Sequence, residues 1–142
     1  MSRKSANYKF DDITIGLTKE FSIEITESML DNFAEFSGDY NESHMDENYA
    51  STTIFGKRIC HGMLLTSFFS RLVGMSIPGK NALYFSQSIN FQSPCFIGDQ
   101  ILVRGEVIEK SGFEHMITIK TTILNQDSKC LIDGIAKVIV QN

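Results

Sequence analysis

Between Met63 and Val73 the chain carries seven apolar residues, with only Thr66, Ser67, Ser70 and Arg71 between them. Wound as a helix, Met63, Leu64, Leu65, Phe68, Phe69, Leu72 and Val73 cover nearly every face, and a helix hydrophobic all round is buried all round. Gly74 and the Pro78-Gly79 pair mark its end. A chain of 142 residues can bury such a rod only by wrapping something around it. The following segments supply the wrapping. Residues 82–92 place Leu83, Phe85, Ile89 and Phe91 on one face, interrupted by Gln87. Residues 100–109, 115–124 and 130–140 read as further strands, separated by turn residues at Gly98-Asp99, Ser111-Gly112 and Asn125 to Ser128. An antiparallel sheet curled over one buried helix satisfies both patterns, which predicts a single α+β domain.

Upstream, Phe21, Ile23 and Ile25 alternate in residues 17–25 as a half-buried strand. Thr26 then offers a helix N-cap, with Glu27 placed where the helix dipole favours an acid. Met29, Leu30, Phe33 and Phe36 follow at helical spacing, and Gly38 supplies a left-handed stop. No internal repeat or low-complexity stretch interrupts this order.

Composition excludes several functions. The formal charge is −4 with basic residues scattered, which argues against nucleic acid, since phosphate neutralisation needs clustered Lys and Arg. Cys60, Cys95 and Cys130 are odd in number and lack CxxC spacing, so no disulfide framework and no metal site is expected, and a cytoplasmic location fits best. Residues 1–7 lack the apolar core of a secretion signal, and no apolar run approaches membrane-spanning length.

The stretch Phe36-Ser37-Gly38-Asp39-Tyr40-Asn41-Glu42-Ser43-His44 carries the chemistry. It sets a carboxylate and an imidazole five positions apart, in a bend that begins at a glycine. Cys60-His61-Gly62-Met63 then opens the apolar helix. A proton-transfer pair beside a glycine at a helix start suits the movement of water across an activated carbonyl compound. Taken alone, Asp39 and His44 equally suit a plain turn and a surface histidine.

These residues resemble the signature of the MaoC-like, (R)-specific enoyl-CoA hydratase family. That signature runs aromatic, small, Gly-Asp, one residue, Asn-Pro, one residue, His. Two further blocks match: Cys60 to Ser70, and Pro78-Gly79 through Tyr84-Phe85-Ser86-Gln87-Ser88 to Phe91, Pro94 and Gly98-Asp99. The resemblance spans roughly residues 10–140, leaving 1–9 as an N-terminal tail before a domain of 10–142. It implies a hot-dog fold, a homodimer with its site often at the subunit interface, and no cofactor beyond coenzyme A or an acyl carrier protein as carrier of the substrate.

The resemblance also implies roles. Asp39 takes a proton from water, His44 holds the same water and relays a proton, and the Gly62 N–H receives the thioester oxygen. Ser70, two helical turns after Gly62, falls on the family's serine that supports the dyad. Asn41 braces the turn, while His61, Met63 and Tyr84 stand as supporting or substrate-binding residues. An anionic carrier needs a basic rim, for which Lys57, Arg58, Arg71 and Lys80 are candidates, set against a reading as solvated surface charges. One departure stands out: Glu42-Ser43 replaces the usual Pro and apolar residue, which removes a fixed φ from the bend.

The reaction so implied is (R)-specific hydration of a trans-2-enoyl thioester, or its reverse, in fatty-acid or polyketide-type lipid metabolism. A 3-hydroxyacyl-carrier-protein dehydratase, a thioesterase on the same architecture and a non-catalytic acyl-thioester-binding subunit are the alternatives.

Overall fold

The computed structural model describes residues 3–141. Strand β1 (Thr18–Glu24) leads into helix α1 (Glu27–Ser37), followed by two short helices, α2 (Glu42–Met45) and α3 (Glu47–Ser51). Helix α4 (Gly62–Arg71) comes next and widens into a π-helical turn over Leu72–Ser76. Five strands complete the chain: β2 (Ala82–Gln87), β3 (Asn90–Phe91), β4 (Gln100–Ser111), β5 (Met116–Leu124) and β6 (Cys130–Val140).

All pairings are antiparallel, in the order β1-β4-β5-β6-β2, with β3 also lying beside β6. Period-two burial selects the concave face: Ile101, Val103 and Val107 of β4 are buried, as are Ile117, Ile119 and Ile123 of β5. Leu64, Leu65 and Phe69 of α4 and Leu72 of the π turn fill that face together with Leu30 of α1. Each such side chain contributes about 1.5–3 kcal/mol on burial. A second cluster joins Phe10, Ile13, Val73 and Ile77 to Val107, Ile119 and Val138. The π turn thus bridges the two cores, with Leu72 in one and Val73 in the other. This is the α+β sheet over a helix expected from the helix and its meander, in the hot-dog architecture that the family resemblance implies.

Three expectations change. The segment read as one strand over 82–92 breaks at Ser88-Ile89 into β2 and β3. Helix α4 is not buried all round: Met63 is 58% exposed, and Ser67 and Ser70 lie on the same open side. The hydroxyl residues of that side mark it, because within one chain only the opposite side meets the sheet. Phe36, read as part of the apolar stripe of α1, is 90% exposed, while Ala34 takes the buried position. Ahead of residue 10, Ala6 N–H donates to the Met75 carbonyl (2.9 Å), Asn7 bridges to Gly79, and the Asn81 amide donates to the Asn7 side chain and the Tyr8 carbonyl.

Candidate active site

Helix α1 ends as its sequence requires. Thr26 Oγ1 accepts the Met29 N–H at its start, and Gly38, at φ 80°, places its N–H on the Ala34 carbonyl at 2.8 Å. The left-handed glycine reverses the chain and delivers Asp39. Its Oδ1 accepts the Asn41 N–H at 3.1 Å, an Asx turn that fixes the carboxylate to the bend. Asn41 in turn caps α2, its Oδ1 accepting from the Ser43 N–H (3.0 Å) and the Ser43 hydroxyl (2.6 Å).

His44 lies in the last turn of α2. Its Nδ1 is 2.8 Å from the Ile59 carbonyl, so Nδ1 carries a proton and donates it there. That assigns Nε2 as the nitrogen available for proton exchange. The Arg58 Nε–H donates to the main-chain carbonyl of His44 at 2.6 Å. Its guanidinium also meets Glu27 and Asp31 of α1, each at 3.4 Å. Arg58 is only 8% exposed. It is therefore a brace between α1 and α2 rather than part of a basic rim.

The second half of the site comes from 59–62. The Cys60 N–H donates to the Cys95 carbonyl at 2.7 Å and aligns the segment beside residues 95–96. His61 occupies the N-cap of α4, so Gly62 is its first helical residue. A first-turn N–H has no acceptor within its own helix, and the dipole there favours negative charge. Gly62 is also required sterically: a Cβ would sit 2.5 Å from Phe91 Cε1. His61 is 1% exposed. Its Nε2–H donates to the Asp39 main-chain carbonyl at 3.0 Å, and its ring stacks on His44 with centroids 4.2 Å apart. Burial pulls the His61 pKa below the ordinary histidine value, against the opposing pull of the Asp39 carbonyl bond.

These groups meet at a cleft of about 430 Å³, with Asp39, His44, His61 and Gly62 in its polar part and Leu65, Phe91, Pro94 and Ile132 in its apolar wall. The volume lies within the range of small-molecule sites. One side-chain donor atom each from Asp39, His44 and His61 lies within 4.8 Å of the other two. Asp39 and His44 can hold one water between them at hydrogen-bond distance, about 2.8 Å from each atom, with His61 behind them on the Asp39 carbonyl. Such a triangle could also offer ligands to a metal, though separations up to 4.8 Å exceed the roughly 3.3 Å between donors around tetrahedral zinc.

The structure thus brings together Asp39, His44, His61, Gly62 and Met63, with Asn41 behind them. It separates Ser70 and Tyr84 from them. Ser70 shares the helix with Gly62 but lies about 12 Å further along its axis, exposed and outside the cleft. The Tyr84 hydroxyl donates to Gln87 within its own strand, and burial pushes its pKa up to about 12. Of the other candidate rim residues, Lys57 lies over the Phe96 ring (4.5 Å) and Arg71 over Phe21 (3.8 Å). Two participants take roles that the sequence did not indicate. Phe91 was read as strand core, and the Ser88-Ile89 break that turns it over Gly62 has no strong signal beyond the polar Gln87. Arg58, a candidate for the basic rim or a solvated surface charge from sequence, is instead buried against the His44 carbonyl, and its place just before Cys60-His61-Gly62 is the signal that points to the site.

Known proteins share this sequence and fold. The chain is 39% identical over 131 residues to an (R)-specific enoyl-CoA hydratase of Rhodospirillum rubrum, covering 92% of this chain and 90% of that protein. It is 42% identical over 100 residues to a 3-hydroxybutyryl-CoA dehydratase of Methylorubrum extorquens, covering 70% of this chain but only 64% of that relative. Among solved structures, the R-hydratase PhaJ1 of Pseudomonas aeruginosa superposes with a TM-score of 0.92 at 33% identity, covering 97% of this chain and 88% of that one. The (R)-hydratase of Aeromonas caviae gives 0.88 at 34% identity, covering 90% and 97%. The family model described as a MaoC like domain matches residues 12–128, and the chain belongs to that MaoC-like dehydratase family.

Proposed function

We propose that this protein interconverts trans-2-enoyl and (R)-3-hydroxyacyl thioesters by adding or removing water. One observation carries the reading: Asp39, His44 and the first N–H of α4 converge at one apolar cleft. In the hydration direction, water held by Asp39 and His44 attacks C3 of the enoyl group. The C2=C3 electron pair moves toward the thioester carbonyl, whose oxygen gains negative charge and accepts the Gly62 N–H. Water's proton passes to the dyad, and the dyad delivers a proton to C2, so the product gains one water and nothing else. Asp39 and His44 act as one coupled unit in these transfers. The reaction is redox-neutral and draws both added groups, the C3 hydroxyl and the C2 hydrogen, from water, so the chemistry calls for no cofactor.

The 3-hydroxyacyl-carrier-protein dehydratase reading is supported by 36% identity over 113 residues to such an enzyme, described as mitochondrial, from Arabidopsis thaliana. Comparing crotonyl-coenzyme A with the crotonyl carrier-protein thioester separates the two carriers. We also place the protein in a homodimer. β2 ends the sheet with one edge unpaired among the described residues, and Leu83 and Phe85 on it are exposed. A two-fold pairing along β2 covers them. Three free thiols support residence in a reducing compartment such as the cytoplasm; no helix among the described residues is long and apolar enough to cross a membrane.

The test is loss of enoyl-thioester absorbance with crotonyl- and longer enoyl-coenzyme A. Asp39→Ala and His44→Ala should each lower the rate by about 10²–10⁴ while the fold persists. A folded protein without turnover on coenzyme A or carrier-protein substrates refutes the proposal, and release of free thiol would identify a thioesterase instead.

A further inference from the structure

His61 poses a problem that packing alone does not answer. It is buried in the N-cap of α4, between the ring of Phe33 (4.8 Å) and that of His44 (4.2 Å). Its Nδ1 is buried and has no hydrogen-bond partner among the described residues. Such an orphan acceptor costs about 1–3 kcal/mol. An aromatic hydrocarbon ring would fill the same slot without that cost. What only the imidazole adds is the Nε2–H, directed at the Asp39 carbonyl at 3.0 Å.

That bond joins the two halves of the site. The bend is tied to residues 58–59 at its far end, through Ser43 and His44, but at Asp39 itself the other hydrogen bonds are local: its N–H on Ser37 Oγ (3.1 Å) and its carboxylate on the Asn41 N–H (3.1 Å). Neither ties the bend to α4. His61 does so, and it is covalently attached to Gly62. Through its stacked face it also limits the tilt of the His44 ring, whose remaining restraint is the Ile59 carbonyl. One side chain therefore sets the carboxylate, the imidazole and the oxyanion donor in a common frame.

Resting on the hydratase reading above, we infer that His61 is a positioning residue: its Nε2–H pins the Asp39 bend to the head of α4 and holds the dyad in register with the Gly62 N–H. With Nε2–H spent on the Asp39 carbonyl and Nδ1 buried, it acts through Asp39 and His44. Displacement of a catalytic group by about 1 Å costs up to about a hundredfold in rate.

Two replacements test this. His61→Phe keeps a ring against Phe33 and His44 but has no N–H to donate. His61→Gln places an amide N–H at the reach of Nε2 and gives up the stack. The inference expects His61→Phe to melt no lower than the unaltered protein, with kcat down about tenfold to a hundredfold and KM little changed. It expects His61→Gln to recover most of that loss. A purely structural role would instead lower the melting temperature and leave kcat per folded molecule intact. His61→Phe with unaltered kcat overturns the inference, as does His61→Gln no more active than His61→Phe. Turnover by the unaltered protein is a separate arm: its absence refutes the hydratase reading itself. In that case the ring resonances of His44 by NMR still judge the positioning role. They should move in His61→Phe and return toward their original places in His61→Gln, and unmoved resonances refute it.

Discussion

Gly62→Ala isolates the oxyanion donor from everything else in the site. The backbone there is not left-handed, and position N1 of a helix accepts alanine with a gain of up to about 1 kcal/mol in propensity. The added methyl would lie 2.5 Å from Phe91 Cε1 and 2.8 Å from Cδ1. Phe91 is 58% exposed, so its ring can swing aside at little cost to folding. The methyl then occupies the space beside the Gly62 N–H that the thioester oxygen must enter. Losing that donor costs about 3–4 kcal/mol of barrier, roughly two to three powers of ten in kcat. Enoyl-thioester absorbance measures the rate, and thermal melting checks that the fold is kept. A Gly62→Ala protein within a few-fold of full activity refutes the oxyanion role. The double variant Gly62→Ala/Phe91→Ala guards against a second explanation: full recovery would show that the methyl acts by displacing Phe91 and not by excluding the oxygen.

Arg58→Met should destabilise the fold by about 1.5–3 kcal/mol, because the Nε–H to the His44 carbonyl is lost. It should also lower kcat; the exposed partners Glu27 and Asp31 add little, and Arg58→Lys should not restore either property. His61 makes stability depend on pH. Its folded pKa is depressed, so its contribution is full above the ordinary histidine range and is lost as pH falls through it, while the unfolded chain takes up the proton first; melting temperatures from pH 7.5 to 5.5, a range set about the ordinary value near 6.5, should fall less steeply in His61→Phe, and an equal slope would refute this. Phe85→Lys, placed on the open edge strand, should convert the homodimer to monomer by light scattering, and a monomeric unaltered protein would remove the interface proposal.

How much of this was legible in the sequence depended on how local the cause was. The cap at Thr26, the stop at Gly38 and the bend from Asp39 to His44 are set by residues within a few positions of one another, and all were readable. The strands were readable because alternation is a property of each segment alone. Periodicity on a helix, however, gives direction and not distance. Ser70 points to much the same side as Gly62 but lies two turns away along the axis. The burial of Arg58 depends on Glu27, Asp31 and the His44 carbonyl, which the fold gathers from three separate segments. Nothing in the dipeptide Lys57-Arg58 distinguishes a rim cation from a brace. Phe91 required the break after β2, which is a property of β6 pairing with two successive strands.

The Glu42-Ser43 pair shows why a departure from a family pattern need not loosen a site. Proline would stiffen the bend through a fixed φ. Here the same bend is held by hydrogen bonds: Asn41 Oδ1 accepts twice from Ser43, from its N–H and its hydroxyl, and the Ser43 main-chain carbonyl accepts the Ile59 N–H at 3.2 Å. Ile59 in turn presents the carbonyl that orients His44. The main chain of residue 43 thus couples the bend to the segment that carries His61 and Gly62, and the Ser43 hydroxyl adds a second hold on the Asn41 cap. Glu42 itself begins α2, where the dipole favours an acid, and its side chain is exposed. The restraint has moved from the backbone into a hydrogen-bond network, so Ser43→Ala should affect the rate more than Glu42→Ala does, and the reverse order would show that charge, not tethering, governs the bend.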